Sequence, residues 1–430
     1  MLDTSLFDGW LPIVGYGLAI VFLLYLIIRP PTKVWLLHLA GALVASLIVQ
    51  AVLVLIIDYW LLPFGIPLEF RNWAWVYVAV LGTAIAVVNL WRSRWWRKLL
   101  AVIGIVSVVL ASTLAINATY GQYPTLRDAL GLTSYPELPA SLMRSAATVP
   151  PPGQTLAEVW EAPVDLPAKG GLYETTIPAT KSGFPARRAV IYLPPAALVD
   201  NPPALPVVIA LSGQPGDPSN IFTSGQLGST LDKFASEHGG LAPIIVAADQ
   251  LGTEYDNPMC IDGPLGNSQT YLSTDVPNWI QASLPVSLER TSWTIGGFSQ
   301  GGICSLQLAA EFPEVYGSFI DISGDEKPTL GDDASTLALG FNGDKAAYEA
   351  AQPLNFLKKR DYSDVRAVFA VGKLDNTFGP QQRVIAKAAE ASGMQTDLIT
   401  APDSGHDWAT ARFGFTKGLE LLYTRMGLTS

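Results

Sequence analysis

The sequence predicts two architectures in one chain: an N-terminal four-helix transmembrane region and, after it, an α/β domain with a mainly parallel central sheet. Three observations predict them. Four segments within the first 120 residues carry no Asp, Glu, Lys or Arg; a proline-rich stretch follows; and beyond Gly171 short apolar runs alternate with helical patterns. The boundaries drawn from these are a four-span region over 1–118, a connector over 119–170 and an outer α/β domain over 171–430.

The charge-free segments are Trp10 to Ile28, Val34 to Ile57, Trp73 to Trp91 and Leu99 to Ile116. A hydrocarbon core of about 30 Å needs about 20 helical residues, and a helix satisfies its own backbone hydrogen bonds, so each segment reads as a membrane span. The whole chain agrees: 49% of its 430 residues are hydrophobic and only 15% charged. The polar side chains His38, Gln50 and Asn89 within the spans are expected to pack or hydrogen-bond between helices.

Loop charge sets the expected orientation. The first connection carries Arg29 and Lys33, and the third carries Arg92, Arg94, Arg97 and Lys98, both without an acid. These belong in the cytoplasm by the positive-inside rule. The N-terminal segment has Asp3 and Asp8, and the second connection has Asp58, Glu69 and Arg71. The N-terminus and everything after the fourth span are therefore expected outside, in a multi-pass protein of the cell membrane. The net charge of -10 disfavours nucleic acid as a partner.

From about Ser134 to Gly171 prolines recur, with Val-Pro-Pro-Pro at 149 to 152, which predicts an extended connector because proline removes backbone donors. Beyond it, ARRAVIYLPP, LPVVIALSG, APIIVAADQ, TSWTIGGFS, YGSFIDISG, VRAVFAVG and QTDLITAP are strand candidates. Several are continuous apolar runs of four to six residues, which suit parallel strands covered on both faces. Helices are expected between them, around Leu227 to His238, Ser273 to Leu284, Gly301 to Phe312, Pro380 to Ser392 and Ala409 to Met426.

At one strand-to-helix junction stands Gly297-Phe298-Ser299-Gln300-Gly301. This G-x-S-x-G form suits a serine held on a sharp turn with its hydroxyl exposed. The Gln300 amide, at the helix start, is positioned to donate to an oxyanion. Of three histidines, His38 lies in a span and His238 ends an earlier helix, which leaves His406 as the base. Asp375, just after the VRAVFAVG strand, is the acid; the order Ser299, Asp375, His406 is that of a hydrolase. Asp321 and Asp325 are reserve acids, and Asp403 and Asp407 are expected to shape the loop around His406. LPVVIALSGQPGDP places Gln214 as the second oxyanion amide, with a simple turn as the alternative.

Taken together, LSGQPG, GGFSQGG, GKLD and GHDW resemble the esterase D-like branch of the α/β-hydrolase superfamily, to which actinobacterial mycolyltransferases are related. The four-span front with NPMCIDGPLGNSQTYLSTDVPNWI resembles actinobacterial membrane-anchored esterases. The resemblance covers most of residues 170 to 430 and implies an α/β-hydrolase fold and Ser-Asp-His ester chemistry without a cofactor. LSGQPG departs from it, since many relatives carry a histidine before the glycine.

Outside the cytoplasm, Cys260 and Cys304 are candidates for a disulfide beside the site, with two free buried thiols as the alternative. Three scattered histidines and two cysteines offer no close metal-ligand cluster. The expected function is a membrane-anchored serine esterase acting on an ester of a lipid or envelope component, an aminoacyl phospholipid among the candidates. Its expected partners are the bilayer and that ester; the oligomeric state stays open. An acyltransferase using the same triad, mycolyl or otherwise, is the second reading, and a membrane scaffold with a degenerate hydrolase domain is the third.

Overall fold

Each charge-free segment forms a helix in the computed structural model, which describes residues 2–61, 67–91, 93–146 and 148–429. Arg92, one of the loop cations, lies outside the described residues. The chain divides into two units, Met1–Thr133 and Ser134–Ser430.

In the first unit, α1 (Trp10–Ile27), α2 (Lys33–Val54), α3 (Phe70–Leu90) and α4 (Trp95–Tyr120) are long and apolar enough to cross a membrane. Their composition suggests membrane anchoring. Small residues such as Ala42, Ala86 and Ala101 are buried between them, while Ile13, Leu37, Leu43 and Leu110 face outward. That pattern suits a lipid solvent, where close backbone approach rather than the hydrophobic effect drives helix association.

Polar ties hold the helices together. Arg97 Nη2 donates to the carbonyls of Tyr25 and Leu26 at 3.0 Å each, and its Nε donates to Asn89 Oδ1 at 2.9 Å. Gln50 Nε2 donates to the Trp73 carbonyl at 3.1 Å. His38 behaves differently from expectation: its Nδ1 bonds the Val34 carbonyl at 2.8 Å, one turn back on its own helix. The N–H of Leu6 donates to the Pro124 carbonyl at 2.8 Å, and Asp3 pairs with Arg127 at 2.7 Å. The segment before α1 and the segment after α4 thus lie at the same end of the bundle, as an even number of crossings requires.

The second unit is built on strands β1 (Gly171–Thr175), β2 (Ala189–Leu193), β3 (Val207–Leu211), β4 (Ile244–Ala247), β5 (Trp293–Phe298), β6 (Ser318–Ile322), β7 (Arg366–Gly372) and β8 (Gln395–Ala401). They form one sheet in the order β1-β2-β4-β3-β5-β6-β7-β8, antiparallel where β2 meets β1 and β4 and parallel elsewhere. Every residue of β2, β3, β4, β5 and β6 is buried. A buried Val, Leu or Ile side chain contributes about 1.5–3 kcal/mol, so apolar runs of this length select a sheet covered on both faces.

Helices α5 (Leu227–Glu237), α6 (Val276–Ser283), α7 (Gln300–Glu311), α8 (Phe378–Ala391) and α9 (Trp408–Leu422) supply that cover. The helix expected from Ser273 starts earlier, at Ser268, widens over Tyr271–Asp275 and continues as Val276–Ser283. The parallel strands β3 to β8 end on one edge of the sheet, where a parallel α/β architecture collects its functional loops.

The proline-rich stretch belongs to this second unit. The N–H of Leu138 donates to the Glu174 carbonyl and the N–H of Glu174 to the Pro136 carbonyl, both at 2.9 Å, so the stretch lies along β1. Leu138 and Leu156 are buried in the core of the unit.

Candidate active site

Ser299 follows the last residue of β5 and caps α7 with φ 58° and ψ −119°. A non-glycine residue at positive φ is strained and persists only where its surroundings hold it. Here its N–H donates to the Ile322 carbonyl on β6 at 2.8 Å, and its own carbonyl accepts from Gly302 at 2.8 Å. The flanking glycines are required by contact distance. A Cβ on Gly297 would lie 2.2 Å from the Gly301 carbonyl oxygen, and one on Gly301 would lie 2.5 Å from the Ser212 carbonyl oxygen.

The histidine and the acid arrive from two other strand ends. His406 Nε2 is 2.9 Å from Ser299 Oγ, and His406 Nδ1 is 3.1 Å from Asp375 Oδ2. A carboxylate only accepts, so Nδ1 carries the proton and Nε2 is free to accept from the serine hydroxyl. Asp375 Oδ1 accepts from the Phe378 N–H at 2.9 Å, and its side chain is 1% exposed. Burial alone would raise this carboxyl. The bond and charge of His406, with the Phe378 amide, outweigh burial and hold it below the ordinary carboxylate value.

Aromatic rings flank the imidazole. Phe378 stacks on His406 with ring centres 4.2 Å apart, and Phe298 lies 4.8 Å away. Asp407 shapes the loop, its Oδ1 accepting from Ser404 Oγ at 2.6 Å and from the Thr410 N–H at 2.9 Å, its Oδ2 from the Gly405 N–H at 2.9 Å. Asp403 takes positive φ in the same loop. Neither reserve acid hydrogen-bonds His406. Asp321 Oδ1 accepts from the Gly324 N–H at 3.0 Å, and complete burial pushes its carboxyl up to about 7. Asp325 lines a small cavity with Gln300, Asn257 and Thr329; burial first, with Glu326 and Asp375 adding, pushes it up to about 6 against the pull of His406.

The expected oxyanion amides belong to two different segments. Gln300 is the first residue of α7 and Gln214 lies in the turn after β3. Neither backbone N–H has an acceptor among the described residues. Cys260 and Cys304 form a disulfide with Cα atoms 5.4 Å apart. Four residues that the sequence reading passed over complete the surroundings: Phe298, Phe378, Gln250 and Asn257. Gln250 sits just past β4 on the functional edge of the sheet, and that position was the one signal available for it.

Residues 185–419, more than half of the chain and the span holding all these groups, match the family described as "Putative esterase". The chain belongs to this esterase family. An uncharacterised protein of Corynebacterium glutamicum is 32% identical to this esterase over 400 residues, covering 90% of this chain and 89% of the relative. A solved ferulic acid esterase superposes with a TM-score of 0.51 at 17% identity, covering 60% of this chain and 99% of that one. The esterase thus has the α/β-hydrolase fold behind its N-terminal helices, and it is a carboxylic ester hydrolase.

Proposed function

We propose that this esterase is anchored in the cell membrane by its four apolar helices, with N-terminus and catalytic unit outside the cytoplasm, and hydrolyses an ester of a lipid or envelope component. Ser299 Oγ attacks the ester carbonyl while His406 Nε2 takes its proton. Asp375 holds the Nδ1 proton in place and stabilises the imidazolium. The oxyanion is met by the Gln300 and Gln214 amides. His406 returns the proton to the leaving alcohol, the acyl group stays on Ser299, and water activated by the same imidazole releases it.

The observation that carries this reading is the unbroken chain from Ser299 Oγ through His406 to Asp375, at 2.9 and 3.1 Å, on a strained strand-to-helix turn. Anchoring supports the choice of substrate class, because it confines the enzyme to the surface where lipid esters are concentrated. Asp325, a half-buried acid beside Gln300, supplies a negative charge near the site that suits an acyl group bearing a cation, as in an aminoacyl ester of an anionic glycerophospholipid.

The decisive experiment is labelling with a fluorophosphonate probe. Ser299→Ala should abolish labelling and lower ester turnover by at least about 10⁴-fold; undiminished turnover in the folded variant refutes the assignment. Product analysis on vesicles carrying alanyl-phosphatidylglycerol, with and without an added sugar acceptor, tests the substrate class. A sugar ester as the main product would replace hydrolysis by acyl transfer.

A further inference from the structure

Gln250 has no place in the chemistry above, yet its side chain is fully buried where two parts of the site meet. Its Nε2 donates to the Ser212 carbonyl at 2.7 Å and to Gln300 Oε1 at 3.1 Å. The Ser212 carbonyl can only accept, so the amide nitrogen and not the oxygen must face it. Gln300 extends the link: its Nε2 donates to Asn257 Oδ1 at 3.1 Å, and Asn257 Nδ2 donates to the Thr329 carbonyl at 3.0 Å.

The two ends of this link are the two halves of the oxyanion hole. Ser212 opens the turn that presents the Gln214 amide, and Gln300 opens the helix after Ser299. An oxyanion hole acts only while both donors keep their spacing to the developing charge, since preorganisation is its entire contribution. Among the described residues, Gln250 alone hydrogen-bonds both segments through one side chain. Removing that side chain would take a donor from the Ser212 carbonyl and from Gln300 Oε1 together.

We propose that Gln250 is a positioning residue for the oxyanion hole, its single side-chain nitrogen setting the distance between the Gln214 and Gln300 amides. The proposal rests on the reading of Ser299 as nucleophile. It makes the hole a three-segment device, assembled from the ends of β3, β4 and β5.

The test uses the full-length esterase in detergent, with p-nitrophenyl butyrate as substrate and a trifluoromethyl ketone as mimic of the tetrahedral adduct. Gln250→Met should lower kcat by about 10- to 100-fold, less than the loss of an oxyanion donor itself, with KM within about twofold of wild type. Affinity for the ketone should fall by the same factor as kcat/KM, a parallel that a merely structural role would not produce. Gln300→Met keeps the backbone N–H and tests the link from its other end. The double variant should be no slower than the slower single, because both break one link.

Full kcat in Gln250→Met, or ketone affinity that does not follow kcat/KM, overturns the proposal; so does loss of folding in both single variants, which would make the pair structural. Ser299→Ala separates the two levels. If that variant is inactive while Gln250→Met keeps its kcat, only the positioning role fails. If Ser299→Ala stays active, the reading beneath it fails as well.

Discussion

Breaking the Cys260–Cys304 bond should cost the second unit stability in an amount the structure sets. The two cysteines are 44 positions apart, so the bond closes a loop of about 45 residues, and the chain-entropy relation gives about 4 kcal/mol at 25 °C. Unfolding entropy near 2.1 cal/mol/K per residue, over the span Ser134–Ser430, amounts to about 0.6 kcal/mol/K. The expected fall in Tm is therefore about 6 °C. Scanning calorimetry of the detergent-solubilised chain should show this shift for Cys260→Ser, for Cys304→Ser and for the double variant alike, since one bond is lost in each. Cys260 Sγ also lies 3.9 Å from Gln300 Nε2, so kcat should fall with Tm. An unchanged Tm, or a double variant much worse than either single, would refute the reasoning; so would two alkylated cysteines in unreduced protein from native membranes.

Two further expectations concern topology and pH. Because both native cysteines are in the disulfide, a cysteine placed at Thr32 should resist an impermeant maleimide in intact cells while one at the exposed Leu288 reacts, and the reverse pattern would invert the orientation. Asp321, pushed by burial from 3.8 up to about 7, binds more protons folded than unfolded across that window, so stability should fall as pH rises through it, by at most about 4 kcal/mol. Asp321→Asn should remove this slope and gain on wild type at pH 8 relative to pH 5 in urea titrations; parallel pH profiles would contradict the assignment.

Much of the fold was legible because the chain separates its solvents so cleanly. Spans without charge and several strands with continuous apolar runs leave little choice of burial, and seven of the eight sheet strands were among the expected ones. β1 escaped because GLYET offers no such run: it is an edge strand, mostly half-buried, and carries two polar side chains among its five residues. Ser299, Asp375 and His406 could be named because hydrolase chemistry fixes their order along the chain and their places at strand ends. Gln250 and Asn257 could not, because their roles are set by tertiary hydrogen bonds that leave no periodicity or spacing. The stretch before Gly171 was expected as a connector on proline content, yet Leu138 and Leu156 tie it into the core. Proline removes donors but leaves acceptors and apolar side chains free to pack.

The way that stretch lies along β1 bears on how copies of the chain coexist. An outermost strand with free N–H and C=O groups is a template on which a second chain can polymerise. Residues 136–138 occupy that template, and Pro139, which follows them, has no N–H to offer a further layer. If the four apolar helices hold the chain in a bilayer, as proposed, it meets its neighbours at high two-dimensional density, where an open edge would seed aggregation at every encounter. A fragment trimmed to begin at Gly171 would carry such an edge into solution, whereas one beginning at Ser134 would keep it sealed.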